Sequence, residues 1–151
     1  MMWFDKHNPN CLYIDQRSEC EPDEVQDFRH LPYPDNSFRL VVFDPPHFKF
    51  GRNPNHPLNR CFGLLNAETW QSDLAKGFRE LWRVLEPKGI LILKWSDHDI
   101  KYKRVLKLFP VKPIFGQTTV RRQTKHGKTN TFWFCFMKIP TPSPLLEAET
   151  K

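Results

Sequence analysis

The segment Asp44-Pro45-Pro46-His47 concentrates more potential chemistry than any other four residues of this 151-residue chain. Two consecutive prolines fix φ and carry no N–H, so the carbonyls that precede them meet no competing backbone donor. A carboxylate and such a carbonyl, converging at a strand end, can accept both N–H groups of an amino nitrogen. The imidazole of His47 then offers a planar face for stacking. The plainer alternative is a strand stop followed by an ordinary loop. Asp15 and Asp27 also follow short apolar or β-prone runs, and three acids at successive strand ends suit a cradle for a polar ligand better than one does. In open α/β sheets ligands sit outside the carboxyl ends of the strands.

Cations are distributed unevenly. Residues 1–75 hold 7 Lys/Arg against 11 Asp/Glu, a net of −4, whereas residues 76–151 hold 16 against 6, a net of +10. That asymmetry points to an anionic partner met by the second half. Lys101, Lys103, Arg104 and Lys107 lie along an expected helix, where a solvated basic face is the commoner meaning. Arg121, Arg122, Lys125, His126 and Lys128 share one loop, which is better evidence for contact with phosphates. No Gly-rich phosphate loop is present, which disfavours a dinucleotide or P-loop site. Neither metal-ligand spacing nor a Ser-His-Asp or Cys-His arrangement is found, so no metal and no covalent nucleophile is expected.

The elements that must position these groups follow from patterning. With 39% hydrophobic residues the chain can bury one core. Its longest uninterrupted apolar run, Phe132–Met137, is far short of the ~18 residues of a membrane span, and no signal peptide is expected. The four cysteines (Cys11, Cys20, Cys61, Cys135) are scattered, as for reduced thiols in a cytoplasmic protein.

Cys11–Asp15 reads as a buried strand, Glu24–Asp27 as a weak one, and Phe38–Phe43 as a strong one stopped by Asp44-Pro-Pro. His30–Ser37 has turn chemistry, and residues 47–65 form a long loop. Asn66 is the expected N-cap of an amphipathic helix of about five turns, with Trp70, Leu74, Phe78, Leu81, Trp82 and Leu85 at three-to-four spacing. Pro87-Lys88-Gly89 should end it. Gly89–Trp95 reads as a strand buried on both faces. Asp97 can cap a shorter helix reaching Phe109, and strands near Pro113–Thr119 and Thr131–Lys138 are joined by the basic loop. Residues 140–151 read as a disordered tail behind a single domain, 1–139.

This order predicts an α/β fold with a mainly parallel sheet and an antiparallel hairpin at one edge. A hairpin leaving the carboxyl end of an edge strand puts its basic tip on the rim that bears Asp44.

Two longer stretches carry a family resemblance: Leu31-Pro-Tyr-Pro-Asp-Asn-Ser-Phe-Arg-Leu-Val-Val-Phe-Asp44 and Glu80-Leu-Trp-Arg-Val-Leu-Glu-Pro-Lys-Gly-Ile-Leu91. Together they resemble the second half of class I S-adenosylmethionine-dependent methyltransferases. Asp44-Pro-Pro-His47 resembles the Asp-Pro-Pro-aromatic motif of those acting on exocyclic amino groups of adenine or cytosine. The chain is also similar to small phage- or prophage-type methyltransferases carrying "FDPPH" and "KW", and the family likeness as a whole covers residues 11–138.

The resemblance implies a Rossmann-like methyltransferase fold, shortened at the N-terminus, with S-adenosyl-L-methionine as cofactor. It implies Asp44, Pro45, Pro46 and His47 as the catalytic group. Asp27 matches the acid that bonds the cofactor's adenine amino group, and Phe28 the neighbour whose backbone meets the adenine ring. Leu31, which opens the first matching stretch, is expected among the cofactor-binding residues with them. Asp15 matches an acid either on the ribose hydroxyls or on the methionine amino group. The family's first strand and Gly-rich loop have no counterpart before Cys11. Trp3, Asp5 and Lys6 together with Asp15 and Arg17, or a second protomer in a homo-oligomer, would then complete the site; loss of activity is the other possibility.

Lys94 and Trp95 are placed to border the target pocket, Trp95 having core packing as its plainer role. Lys94, Arg121, Arg122, Lys125 and Lys128 are the expected contacts to nucleic acid, DNA or RNA, and no membrane contact is expected. Two rivals stand beside methylation of a base: an inactive methyltransferase-like module that binds nucleic acid, and a methyltransferase for a small molecule or protein.

Overall fold

The computed structural model describes residues 4–48, 62–120 and 130–140. In chain order it contains β1 (Ile14–Asp15), a 3-10 turn at Ser18–Cys20, β2 (Glu24–Val25) and β3 (Phe38–Phe43). These are followed by α1 (Trp70–Val84), β4 (Leu85–Ser96), α2 (Tyr102–Leu106), β5 (Phe115–Val120) and β6 (Asn130–Met137). β1 and β2 pair in parallel as a two-stranded unit, and the other strands form one sheet in the order β3-β4-β6-β5.

Within that sheet β3 and β4 are parallel, and β6 runs antiparallel to both β4 and β5. Three strands therefore share a direction, as expected, but the reversed strand lies inside the sheet. The expected mainly parallel sheet is a mixed one, and β5 and β6 form the expected antiparallel pair at one edge, with β5 outermost. Composition explains the order. β6 (NTFWFCFM) is apolar enough to require neighbours on both sides, whereas β5 (FGQTTV) is polar enough to stand at an edge.

Leu91, Leu93 and Trp95 of β4 are fully buried, and they pair in register with Phe136, Phe134 and Phe132 of β6. Both described helices cover this face. Phe78 of α1 stacks on Phe109 at 4.0 Å and meets Phe136 edge-on at 5.3 Å, while Tyr102 of α2 lies 4.3 Å from Phe132. The alternate residues Ile90, Ile92 and Lys94 are less completely buried as a set, and Leu40 of β3 on that side is 56% exposed. The strand expected to be buried on both faces is thus fully buried on one.

The helix is also shorter than its periodicity suggests. Asn66 caps a preceding turn, its Oδ1 accepting the Glu68 N–H at 2.8 Å, and α1 begins at Trp70. At the other end α1 stops at Val84 and the chain passes straight into β4. Pro87-Lys88-Gly89 does not separate the two. Phe38 pairs with Leu85 and Leu40 with Ile90, so Glu86–Gly89 bulges out of β4, with Lys88 at φ 67°. α2 has five residues and stops well before Phe109; its N-cap position is Lys101, and Asp97, expected there, instead accepts the Tyr102 N–H at 2.9 Å from upstream of the cap.

The amino ends of β3 and β4 are clamped by two cations. The Arg83 guanidinium donates to Tyr33 O at 2.8 Å, to Leu31 O at 3.0 Å and to the carboxylates of Asp35 and Glu80 at 2.8 and 2.9 Å. Glu80 in turn accepts the Leu31 N–H at 3.1 Å. Lys138 donates to Leu85 O at 2.6 Å, Trp82 O at 2.8 Å and Asn36 Oδ1 at 2.9 Å. Residues 31–37 and 80–89, the stretches that carry the family resemblance, are thus stitched to one another.

Candidate active site

The opposite ends of the strands bear the acids. Asp44 leaves β3 as the first proline begins, and its neighbour across the ladder is the end of β4. Lys94 Nζ lies 2.6 Å from Asp44 Oδ2, and His47 Nε2 lies 3.3 Å from Oδ1. Burial pushes the Asp44 carboxyl up, but hydrogen bonds and charge from His47 and Lys94 outweigh it, so the group is held below the usual carboxylate range.

His47 is 7% exposed, and its ring meets Trp95 edge-on at 5.4 Å. Its Nδ1 is buried without a partner among the described residues. The stacking face expected of His47 is therefore turned inward here. Trp95 takes the packing role: it is fully buried and donates its Nε1–H to Ile100 O at 2.8 Å.

Asp15 and Asp27 are each gripped by an arginine two residues on. Arg17 reaches Asp15 with its backbone N–H at 2.9 Å, Nε at 2.9 Å and Nη2 at 2.8 Å. Arg29 does the same to Asp27 at 2.9, 2.9 and 2.7 Å, and also donates to Asp73 of α1 at 3.0 Å. Burial raises the Asp15 carboxyl, yet Arg17 brings it below its ordinary value. For Asp27 the Arg29 hydrogen bond dominates and the shift is again downward.

Phe28 packs on Phe43 at 5.3 Å and fills a notch in α1 at Gly77, where a Cβ would fall 2.2 Å from its ring. Leu31 is buried in the core, its N–H bound by Glu80. Arg17 is brought beside the proline pair: a Cβ on Gly63 would lie 3.2 Å from Pro46 Cγ and 4.0 Å from Arg17 Cζ.

The structure thus gathers Asp44, Pro46, His47, Lys94, Asp15 and Arg17 at one end of the strands and gives Phe28 and Leu31 packing roles. Arg121, Arg122, Lys125 and Lys128 lie outside the described residues, as do Trp3 and most of the long loop. β5 ends at Val120 opposite Asn130, whose carbonyl accepts the Asp97 N–H at 2.9 Å just beyond β4. Val120 and Asn130, the described residues on either side of positions 121–129, are therefore at the rim that bears Asp44. Sequence reading missed the Lys94–Asp44 pair, Arg29, Asp73 and Gly63. The repeated Asp-x-Arg spacing was the one available signal for Arg29.

No protein-family model matches this chain, and no curated protein matches it. Among solved structures, a SAM-dependent methyltransferase from Methanosarcina mazei aligns with a TM-score of 0.50 at 14% identity, over 78% of this chain and 67% of its own. A protein from Thermus thermophilus, provisionally named a DNA modification methylase and solved with S-adenosyl-L-methionine, aligns at 0.46 and 16% identity, over 83% of this chain and 59% of its own. A SAM-dependent methyltransferase from Leishmania major aligns at 0.45 and 14% identity, over 74% and 44%. The chain spans about two thirds or less of the length of these proteins. The first alignment shows that the chain has the Rossmann-like α/β fold found in SAM-dependent methyltransferases.

Proposed function

We propose that this domain transfers a methyl group from S-adenosyl-L-methionine to an exocyclic amino group of a nucleic-acid base, adenine or cytosine. The observation that carries the reading is Asp44: an ionised carboxylate at the end of β3, fixed by Lys94 and His47 and followed by two prolines.

The donor set suits the cofactor. Its hydroxyl and amino hydrogens need acceptors, and Asp15 and Asp27 supply two carboxylates. Its methionine carboxylate needs a cation, and the Arg17 guanidinium carbon lies 4.0 Å from where a Cβ on Gly63 would sit. When bound, the cofactor supplies an electrophilic methyl on a sulfonium. Asp27 would take the adenine amino group, with the Phe28 backbone alongside, and Asp15 the hydroxyls or the methionine amino group. Each carboxylate has to share its arginine in doing so.

A carboxylate has about four lone-pair sites, and Lys94 and His47 occupy two on Asp44. The remaining sites and the Pro45 carbonyl can hold both N–H groups of the target amine and orient its lone pair. That is catalysis by positioning and electrostatics, with the proton lost after transfer. A base in a duplex must first be flipped out, at a cost of a few kcal/mol. Lys94 borders the target, and Arg121, Arg122, Lys125 and Lys128 would meet phosphates, making binding salt-dependent.

The test is transfer of labelled methyl from S-adenosyl-L-methionine to DNA and to RNA. Asp44→Ala should lower the rate by about a hundredfold or more with an unchanged circular-dichroism spectrum. A variant that methylates at the wild-type rate would sink the mechanism. A protein that methylates but binds neither nucleic acid at ~0.15 M salt, where long-range attraction is largely screened, acts on another substrate.

A further inference from the structure

We propose that the face of the four-stranded sheet opposite α1 and α2 is a dimer interface, on which a second copy of this chain packs its own equivalent face.

The register fixes which residues share that face. Leu40, Ile90 and Met137 are neighbours across β3, β4 and β6. The next row is Val42, Ile92, Cys135 and Phe115, across all four strands. Side chains alternate along a strand, so both rows lie on the side away from Leu91, Leu93, Trp95 and Phe136. The two sides differ sharply in burial. Those last four are fully buried, whereas Leu40 is 56%, Phe115 68% and Met137 37% exposed. Parallel strands such as β3 and β4 are ordinarily covered on both faces, and the two described helices cover one.

Charge narrows the kind of surface that fits. No residue of the two rows is charged, and burial pushes the Cys135 thiol up, which keeps it neutral. The first charge toward the carboxyl ends is Lys94, which lies on Asp44. The chain carries a net charge of +6. A partner selected by opposite charge would find no cation here to bind. A second copy brings an equally uncharged face, so like charges are not set against each other at the contact.

Size points the same way. Four strands about 4.8 Å apart make the face about 19 Å wide. One helix, about 10 Å across, would leave half of it bare. A sheet of equal width covers it whole, packed about 10 Å away with strands within about 30° of alignment. Ile90–Ser96 of β4 spans roughly 20 Å, so the face offers on the order of 400 Å² in projection. Two interdigitating copies would bury about 1,000 Å², enough for a specific but weak dimer.

Sedimentation velocity over a concentration series is the experiment. Wild-type protein should pass from monomer to dimer between about 1 and 500 μM. Leu40→Glu and Phe115→Glu each set a charge into the contact twice over. Each should raise the dissociation constant about tenfold or more, with an unchanged circular-dichroism spectrum. Val25→Glu alters a residue of similar exposure on β2, outside this sheet, and should leave dimerisation as it was. Salt at ~1 M should leave the dimer intact or tighten it, since the contact has no ion pairs to screen. Hydroxyl-radical footprinting needs no variant: Met137 should be oxidised several-fold more slowly in concentrated than in dilute wild-type samples. Wild-type protein that stays monomeric at about 500 μM overturns the proposal. If that monomer binds a hydrophobic dye, the face is open to a different protein; if it binds none, the chain covers the face itself. A dimer that survives both substitutions, loosens in salt, or leaves Met137 as reactive as in the monomer forms through another surface and overturns it as well.

Discussion

The two ends of β3 and β4 use the same residue types to opposite effect. At the amino ends, Arg83 and Lys138 give hydrogen bonds to main-chain carbonyls of Leu31, Tyr33, Trp82 and Leu85. At the carboxyl ends, Lys94 lies on the carboxylate of Asp44, as Arg17 and Arg29 lie on those of Asp15, the last residue of β1, and Asp27, just beyond β2. A carbonyl in a turn has few alternative donors, and losing the cation opens the fold. A partly exposed carboxylate can trade its cation for a ligand's hydrogen bonds at small net cost. The main-chain acceptors at the amino ends, to which the carboxylates of Asp35 and Glu80 only add, mark the structural end.

The lower clamp should yield the largest change in stability. Arg83→Met leaves the Leu31 and Tyr33 carbonyls and Glu80 without their partner. The melting temperature should drop by roughly 5 °C or more, with ligand affinity of the folded fraction unchanged. An unaltered melting curve would erase the distinction between the two ends.

Gly77→Ala probes the join between them. A Cβ there collides with the Phe28 ring at 2.2 Å, and Phe28 adjoins Asp27. Overpacking costs about 1–3 kcal/mol, against a gain of about 1 kcal/mol in helix propensity, so a net loss on thermal unfolding is expected. Nucleotide binding should weaken with it; a stabilised variant would show that Phe28 moves aside freely.

Acid gives the smallest effect. Asp15, Asp27 and Asp44 titrate below their ordinary range in the folded chain. Their contribution to stability is complete above the unfolded value near pH ~3.9 and is lost as pH falls toward the lower folded values. Glu80 at the clamp is depressed as well, by Arg83, so acid alone does not tell the ends apart. Asp44→Asn should make the loss of stability below pH ~4 shallower, as read by melts across that range; an identical acid limb would mean that Lys94 and His47 contribute nothing to it.

Local patterning disclosed the strand Phe38–Phe43, the periodic face of α1 and the acid that ends β3. Each depends on residues near in sequence. What patterning hid is tertiary. Lys94 meets Asp44 across fifty positions, and the two are neighbours only because β3 and β4 lie side by side. Trp95 buries His47 for the same reason. The bulge at Glu86–Gly89 looked like a helix stop because Pro-Lys-Gly fits both. Burial on one face of β4 was illegible because an apolar run does not reveal where the helices pack.

The most direct measurement is a calorimetric titration of the wild-type protein and Asp27→Ala with S-adenosyl-L-methionine. If the acid-bearing rim is the ligand site, wild type binds in the micromolar range and Asp27→Ala, still folded, does not. No heat from folded wild-type protein, or equal affinity in the two, would contradict that assignment.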